Sequence, residues 1–180
     1  AAWLRSRGRS DIYRRGRLNY LKILWRDLAN DGLIASPRRS KLTRVRVADH
    51  VVKTMRIEQV RQLLAAAESL DGEYRNGIPK RLFWGSYVRA AWDTGLRGCD
   101  LLAIPASAAR GGVIAIVQRK TGKRIAKRFN PRTLATIRET LPPHRPLIWP
   151  LWASSEMFRR EAAAMFADAG LSEFTLRDIR

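Results

Sequence analysis

The sequence predicts a mainly α-helical protein carrying one small antiparallel β-hairpin. Three observations carry that expectation: apolar residues recur at helical spacing through most of the 180 residues, one β-rich run (Val113 to Val117) is bounded by Gly111-Gly112, and Thr121-Gly122 supplies a tight turn soon after it.

The elements follow in order. From Ser10 to about Asn30, Leu18, Leu21, Trp25 and Leu28 form a helical stripe while Arg14, Arg15, Arg17, Lys22 and Arg26 occupy other faces, and Asp31-Gly32 stops the helix. Pro37-Arg38-Arg39-Ser40-Lys41 reads as a linker, which puts a domain boundary between 36 and 54. Thr54 is the expected cap of the next helix, with Ile57, Val60, Leu64 and Ala67 as its apolar stripe, ending near Asp71-Gly72. A helix over roughly 80–93 is apolar on most faces (Leu82, Phe83, Trp84, Tyr87, Val88, Ala91, Trp92), so it belongs at the centre of the core, and Gly95 ends it. Leu96 to Leu102 reads as a further helical turn or two. The hairpin comes next, its second strand running from Arg124 to Phe129, and Pro131 opens a helix to about Thr140. After Pro142-Pro143, a last helix from about Ser154 to Ala169 carries Phe158, Ala162, Met165 and Phe166 on one side, and Gly170 stops it.

Charge narrows the class of partner. There are 35 Lys and Arg against 16 Asp and Glu, a formal net charge of +19, and residues 1–56 alone carry +11. Such a field attracts polyanions and releases their counterions, so nucleic acid is the first partner to consider. No apolar run reaches the length of a spanning helix and no signal-like segment opens the chain, so no membrane association is expected. Cys99 is the only cysteine, and His50 and His144 have no ligand-like spacing; no disulfide, structural metal or cofactor is expected, and a reducing cytoplasm suits the composition. The chain opens Ala1-Ala2-Trp3 and stops at Arg180 inside a patterned segment, and it reads as a piece of a longer protein.

Three short segments can carry chemistry. Thr94-Gly95-Leu96-Arg97-Gly98-Cys99-Asp100-Leu101-Leu102 places an arginine after a helix break with an acid three residues on; by itself it also reads as an Arg–Asp pair on one helical turn. Arg119-Lys120-Thr121-Gly122-Lys123-Arg124 puts cations on the hairpin tip, and without Ser or Thr after Gly122-Lys123 it is not a nucleotide-binding loop. Phe174-Thr175-Leu176-Arg177-Asp178-Ile179-Arg180 sets two arginines three apart; on a helix they share a face and can converge on one anion, with Asp178 as a local counter-charge in the plainer reading.

In that order, behind a basic helix, the three segments resemble the active-site boxes of the tyrosine recombinases (phage integrases), and the resemblance covers essentially the whole chain. It implies the C-terminal part of a helical core-binding DNA-binding domain over residues 1–45, a linker over 46–53, and a catalytic domain over 54–180 that is incomplete at its C-terminus. Arg97 takes the place of the first phosphate-binding arginine and Asp100 that of its supporting acid. Lys120 takes the place of the lysine that protonates the leaving 5′ oxygen, with Lys123 as second candidate. Arg180 takes the second arginine place, and Arg177 stands where the family usually has histidine; a guanidinium stabilises phosphate charge but is no general base near neutral pH. Arg14, Arg15, Arg17, Lys22, Arg38, Arg39, Lys41, Lys123 and Arg124 are the expected DNA-backbone contacts.

The implied activity is site-specific recombination of duplex DNA by metal-independent transesterification through a phosphotyrosine, performed in that family by a homotetramer on paired sites. The nucleophile is expected beyond Arg180, since Tyr13, Tyr20, Tyr74 and Tyr87 all precede the last box. This chain alone is then expected to be inactive. Two other readings stay open: a non-catalytic duplex-binding relative, and a basic RNA-associated structural protein.

Overall fold

The structure, a computed structural model, describes residues 8, 10–36, 53–74, 77–140, 145–149 and 155–179, and the chain divides into two compact units, Ala1–Val51 and Val52–Arg180. In the first unit, α1 (Asp11–Asn30) begins at Ser10, whose hydroxyl accepts the Tyr13 N–H, and ends at Asp31 with Gly32 in the left-handed region. No side chain of α1 is buried: Leu18 and Leu28 of the expected stripe are half-buried, while Leu21 and Trp25 are exposed. The chain after the helix turns back over Trp25, whose indole N–H donates to the Ala35 carbonyl at 3.1 Å.

The second unit opens with an extended strap, Lys53 to Arg56, leading into α2 (Ile57–Glu68). The expected cap at Thr54 is corrected here. Arg56 is the N-cap residue and the Gln59 side chain accepts its N–H at 2.8 Å, because Met55 is buried and its own N–H donates to the Asp178 carbonyl, which holds the strap extended for two more residues. The stripe is also rotated: Val60, Leu63 and Ala67 are buried, Leu64 only partly, and Ile57 is 48% exposed.

Helix α3 (Lys80–Thr94) is the centre of the unit, burying nine residues that include Phe83, Trp84, Tyr87 and Val88. Trp84 stacks on Phe158 of α7 (Ser155–Asp168) at 4.9 Å between centroids, and Tyr87 meets Trp149 edge-on at 5.7 Å. The polar tips of these aromatics are mostly paired, as buried donors must be. Trp84 donates to the Tyr74 hydroxyl, which donates to Glu161 of α7, and Trp149 donates to Ser86. Trp92 departs from the expected buried set, at 40% exposed.

Two short helices, α4 (Gly98–Leu101) and α5 (Ala108–Gly111), lead into the hairpin of β1 (Val113–Val117) and β2 (Arg124–Arg128), paired antiparallel from Val113 opposite Arg128 to Val117 opposite Arg124. Ile114 is buried and Ile116 and Ile125 pack against the core from the same face of the ribbon. Helix α6 (Pro131–Thr140) starts behind Asn130, whose side chain accepts the Arg132 N–H. The architecture among the described residues is thus mainly helical with one two-stranded antiparallel sheet.

Candidate phosphate-binding site

Each residue of the first arginine segment has a local reason to be where it is. The buried Thr94 hydroxyl donates to the Ala90 carbonyl and accepts the Leu96 N–H, closing the end of α3, and Gly95 makes the left-handed turn (φ +62°) that a side chain disfavours. Leu96 is buried in the core, which anchors the extended Arg97 behind it. Gly98 then lies so close to α3 that a Cβ there would stand 2.9 Å from the Tyr87 hydroxyl. Arg97 is half-buried, and no ion pair of its guanidinium occurs among the described residues.

Asp100 is 1% exposed, and its carboxylate turns to the hairpin: Oδ1 accepts the backbone N–H of Arg119 at 3.1 Å. Nineteen residues apart in sequence, the first arginine segment and the residue preceding Lys120 are thereby latched together. The other oxygen, Oδ2, has no hydrogen-bond partner, and neither has the buried Tyr87 hydroxyl. A buried carboxylate with one oxygen unpaired is costly unless positive charge stands near it; Arg97 is three residues away in sequence, and the Arg119 N–H bond brings the Arg119-Lys120 backbone to the same carboxylate.

The tip itself is held by its own backbone. Gln118 accepts from the N–H groups of Thr121 and Gly122 and donates to Lys123, and the Thr121 hydroxyl donates to the Gln118 side chain at 2.8 Å. Lys120 and Lys123 are exposed on this turn. A second carboxylate secures the base of the hairpin, where Asp93 accepts the Asn130 N–H at 3.0 Å. Sequence reasoning missed Asp93; its only signal was an acid just before the helix stop at Gly95.

The last segment is anchored from below. Ile179 is 0% exposed, within the same buried cluster as Leu96 and Leu101, while Arg177 points outward and is exposed. Residues 176–179 form a turn, with the Asp178 N–H donating to the Thr175 carbonyl. Asp178 is engaged locally: its Oδ2 accepts both the backbone N–H and the hydroxyl of Thr175, and its carbonyl takes the Met55 N–H. Arg180 lies outside the described residues, as do Arg38, Arg39, Lys41, His50 and His144. The structure therefore joins the first arginine segment to the lysine turn directly and seats the last segment on the shared core.

On α1, Arg14 pairs with Asp11, and Arg17 bonds the Tyr13 hydroxyl and lies over its ring; Arg15 is exposed and Lys22 half-buried. Of the four tyrosines, Tyr74 and Tyr87 are buried in the second unit, and burial raises both phenols well above the usual tyrosine range, with Glu161 adding to the effect at Tyr74 and Cys99 at Tyr87. No group of three or more His, Cys, Asp or Glu gathers among the described residues, and no helix among them is long and apolar enough to cross a membrane.

No family model and no curated protein matches the chain. Solved structures do. A lambda integrase (75–356) dimer bound to a COC′ core site superposes with a TM-score of 0.70 at 18% identity, over 99% of this chain and 67% of that one. XerA recombinase gives 0.54 at 13%, over 98% and 62%, and a lambda integrase tetramer bound to a Holliday junction gives 0.60 at 18%, over 90% and 48%. The chain thus spans about half to two thirds of the length of these structures. Its fold is that of the tyrosine recombinases and phage integrases.

Proposed function

We propose that this chain acts in site-specific DNA recombination or integration, with Arg97, Lys120, Arg177 and Arg180 around the scissile phosphate and Asp100 as the supporting acid. The observation that carries the reading is the Asp100–Arg119 hydrogen bond, which latches the first arginine segment to the lysine turn in a fold shared with DNA-bound integrases. Transesterification of a phosphodiester builds negative charge on the non-bridging oxygens, and fixed guanidinium groups neutralise it through bidentate hydrogen bonds without a metal ion. A tyrosine oxygen attacks phosphorus as the bond to the 5′ oxygen breaks, and Lys120 gives that oxygen its proton. The phosphotyrosine ester keeps the bond energy for rejoining to another strand.

In this reading the nucleophile lies beyond Arg180. Tyr74 and Tyr87 are disfavoured by burial, which raises their pKa values, and Tyr13 and Tyr20 belong to the other unit. Residues 1–45 belong to a core-binding domain whose Arg15 and Lys22, with Arg14 and Arg17, face the DNA backbone, and 54–180 to the catalytic domain; the complete protein works in the cytoplasm as a homotetramer on paired sites. A second reading, a duplex-binding relative without catalysis, is favoured by Arg177 at the usual histidine place. The test is electrophoretic: the 180-residue chain binds duplex DNA, and Arg97→Ala and Lys120→Ala weaken binding. A covalent protein–DNA adduct formed by this chain would contradict the placement of the nucleophile, and failure to bind duplex would sink the whole proposal.

A further inference from the structure

The hairpin carries more charge than the phosphate chemistry uses. Between Val113 and Asn130 stand six cations (Arg119, Lys120, Lys123, Arg124, Lys127, Arg128) and no acid, and among the described residues none of the six has an ion-pair partner. Three of them belong to the tip. The other three are sorted by the pleat, because side chains of a strand alternate between faces and the register fixes which face each takes. Lys127 lies opposite Ile114, on the face that packs against the core. Arg124 and Arg128 lie opposite Val117 and Val113, on the outer face, with Ala115 opposite Ala126 between them. Every residue of that outer face is exposed; Val117, for instance, is 59% exposed.

This outer face is therefore an exposed strip with a low alanine middle and one arginine at each end. We propose that it is a second contact for the backbone of duplex DNA, separate from the scissile phosphate, in which Arg124 and Arg128 each hold a phosphate. The inference rests on the DNA reading above and extends it from the Arg124 contact already expected to a strip of surface and a second contact, Arg128. Four residues of strand span ~13 Å, close to the axial rise of four nucleotides at ~3.4 Å each. The two side chains therefore address different phosphates instead of competing for one.

Exposed valines on the same face raise the rival of a second protein copy. Charge decides against it: a partner copy would bring a chain of net charge +19 onto a ribbon whose ionisable side chains are all cationic, whereas a phosphate backbone supplies the missing sign.

The experiment is the salt dependence of duplex binding by the 180-residue chain, comparing wild type, Lys127→Gln as an inner-face control and the pair Arg124→Gln with Arg128→Gln. Each lost phosphate contact lowers the slope of log K against log salt by about 0.9, so the pair should lose about 1.8 and bind about 60-fold more weakly at 0.1 M salt, uniformly across DNA sequences. Lys127→Gln should keep the wild-type slope. Should the pair fail to fold, each single arginine variant carries the test with a loss of about 0.9. A pair variant that binds duplex with the wild-type slope overturns the inference and leaves the recombinase reading standing. If the pair variant instead changes the sedimentation of DNA-free protein, the face belongs to a second copy and the inference is equally overturned. A wild-type chain that binds no duplex at all removes the reading beneath it.

Discussion

Replacing Asp100 by alanine removes the side chain that latches the hairpin tip to the first arginine segment. Its Oδ1 accepts the Arg119 N–H at 3.1 Å from a site only 1% exposed, so the bond is charge-assisted and shielded from water. Bonds of this kind contribute about 1.5–3 kcal/mol. Converted at ~1.36 kcal/mol per tenfold, the Arg119 amide should exchange its hydrogen about 10- to 150-fold faster in Asp100→Ala, with smaller increases at Lys120 and Thr121. Asp100→Asn keeps an acceptor but a neutral one, worth about 0.5–1.5 kcal/mol, and should fall between wild type and alanine. Melting temperature is the wrong assay: removing a buried carboxylate whose Oδ2 has no partner also relieves its desolvation, and the two effects oppose each other. Residue-resolved hydrogen exchange by NMR is the right one. An Arg119 amide equally protected in wild type and Asp100→Ala, or an Asp100→Asn as labile as alanine, would refute the latch.

Other outcomes follow from the same geometry. Tyr74 and Tyr87 have folded pKa values raised above the usual 10, so their contribution to stability is complete below pH ~10 and is lost as pH climbs towards the folded values; in a Tyr13→Phe, Tyr20→Phe background, phenolate absorbance should appear together with loss of circular dichroism, and phenolate forming in a still-native protein would contradict this. Arg177→His exchanges a permanent charge for one that titrates near pH ~6.5, so duplex affinity at 0.1 M salt should fall by up to about eightfold between pH 5.5 and 8, a change that wild type should not show beyond a twofold drift. Ser86→Ala strands the buried Trp149 N–H that it now accepts at 2.9 Å, costing about 1–3 kcal/mol in denaturant unfolding; a variant as stable as wild type would mean that the indole finds another partner.

Local signals in the sequence were sufficient wherever a turn or a repeat decided the structure. Gly95 ends α3 in the left-handed region, Pro131 opens α6, and the glycine-bounded run pairs with Arg124–Arg128 as a hairpin, because each depends on residues adjacent in the chain. The failures share a long-range cause. Thr54 gives way to Arg56 as cap because Met55 is held by Asp178, far away in sequence, and the α2 stripe turns towards Leu63 because α3 and α7 decide which face is covered. Helix α5, four residues long, is too short for any period to register. At the candidate site, the three segments are visible in the sequence as residue types at a fixed spacing, and so is the acid at position 100. That its carboxylate bonds the Arg119 backbone could not be read, since a backbone N–H has no signature in sequence. Likewise, nothing in the sequence shows that the Asp178 Oδ2 accepts both the N–H and the hydroxyl of Thr175.

The central claim is that cations distant along the chain act on a single backbone phosphate, and neutralising phosphates one at a time tests it most directly. A duplex selected from a random library by the chain itself would be scanned with single methylphosphonate substitutions, each removing one charge, against wild type, Arg97→Ala, Lys120→Ala and Arg177→Ala. One position should emerge at which the neutral linkage weakens wild type by about eightfold at 0.1 M salt and costs each of the three variants less than it costs wild type. If the Arg97, Lys120 and Arg177 variants lower the sensitivity at three different linkages, the cations do not share a phosphate and the recombinase site does not exist in this chain.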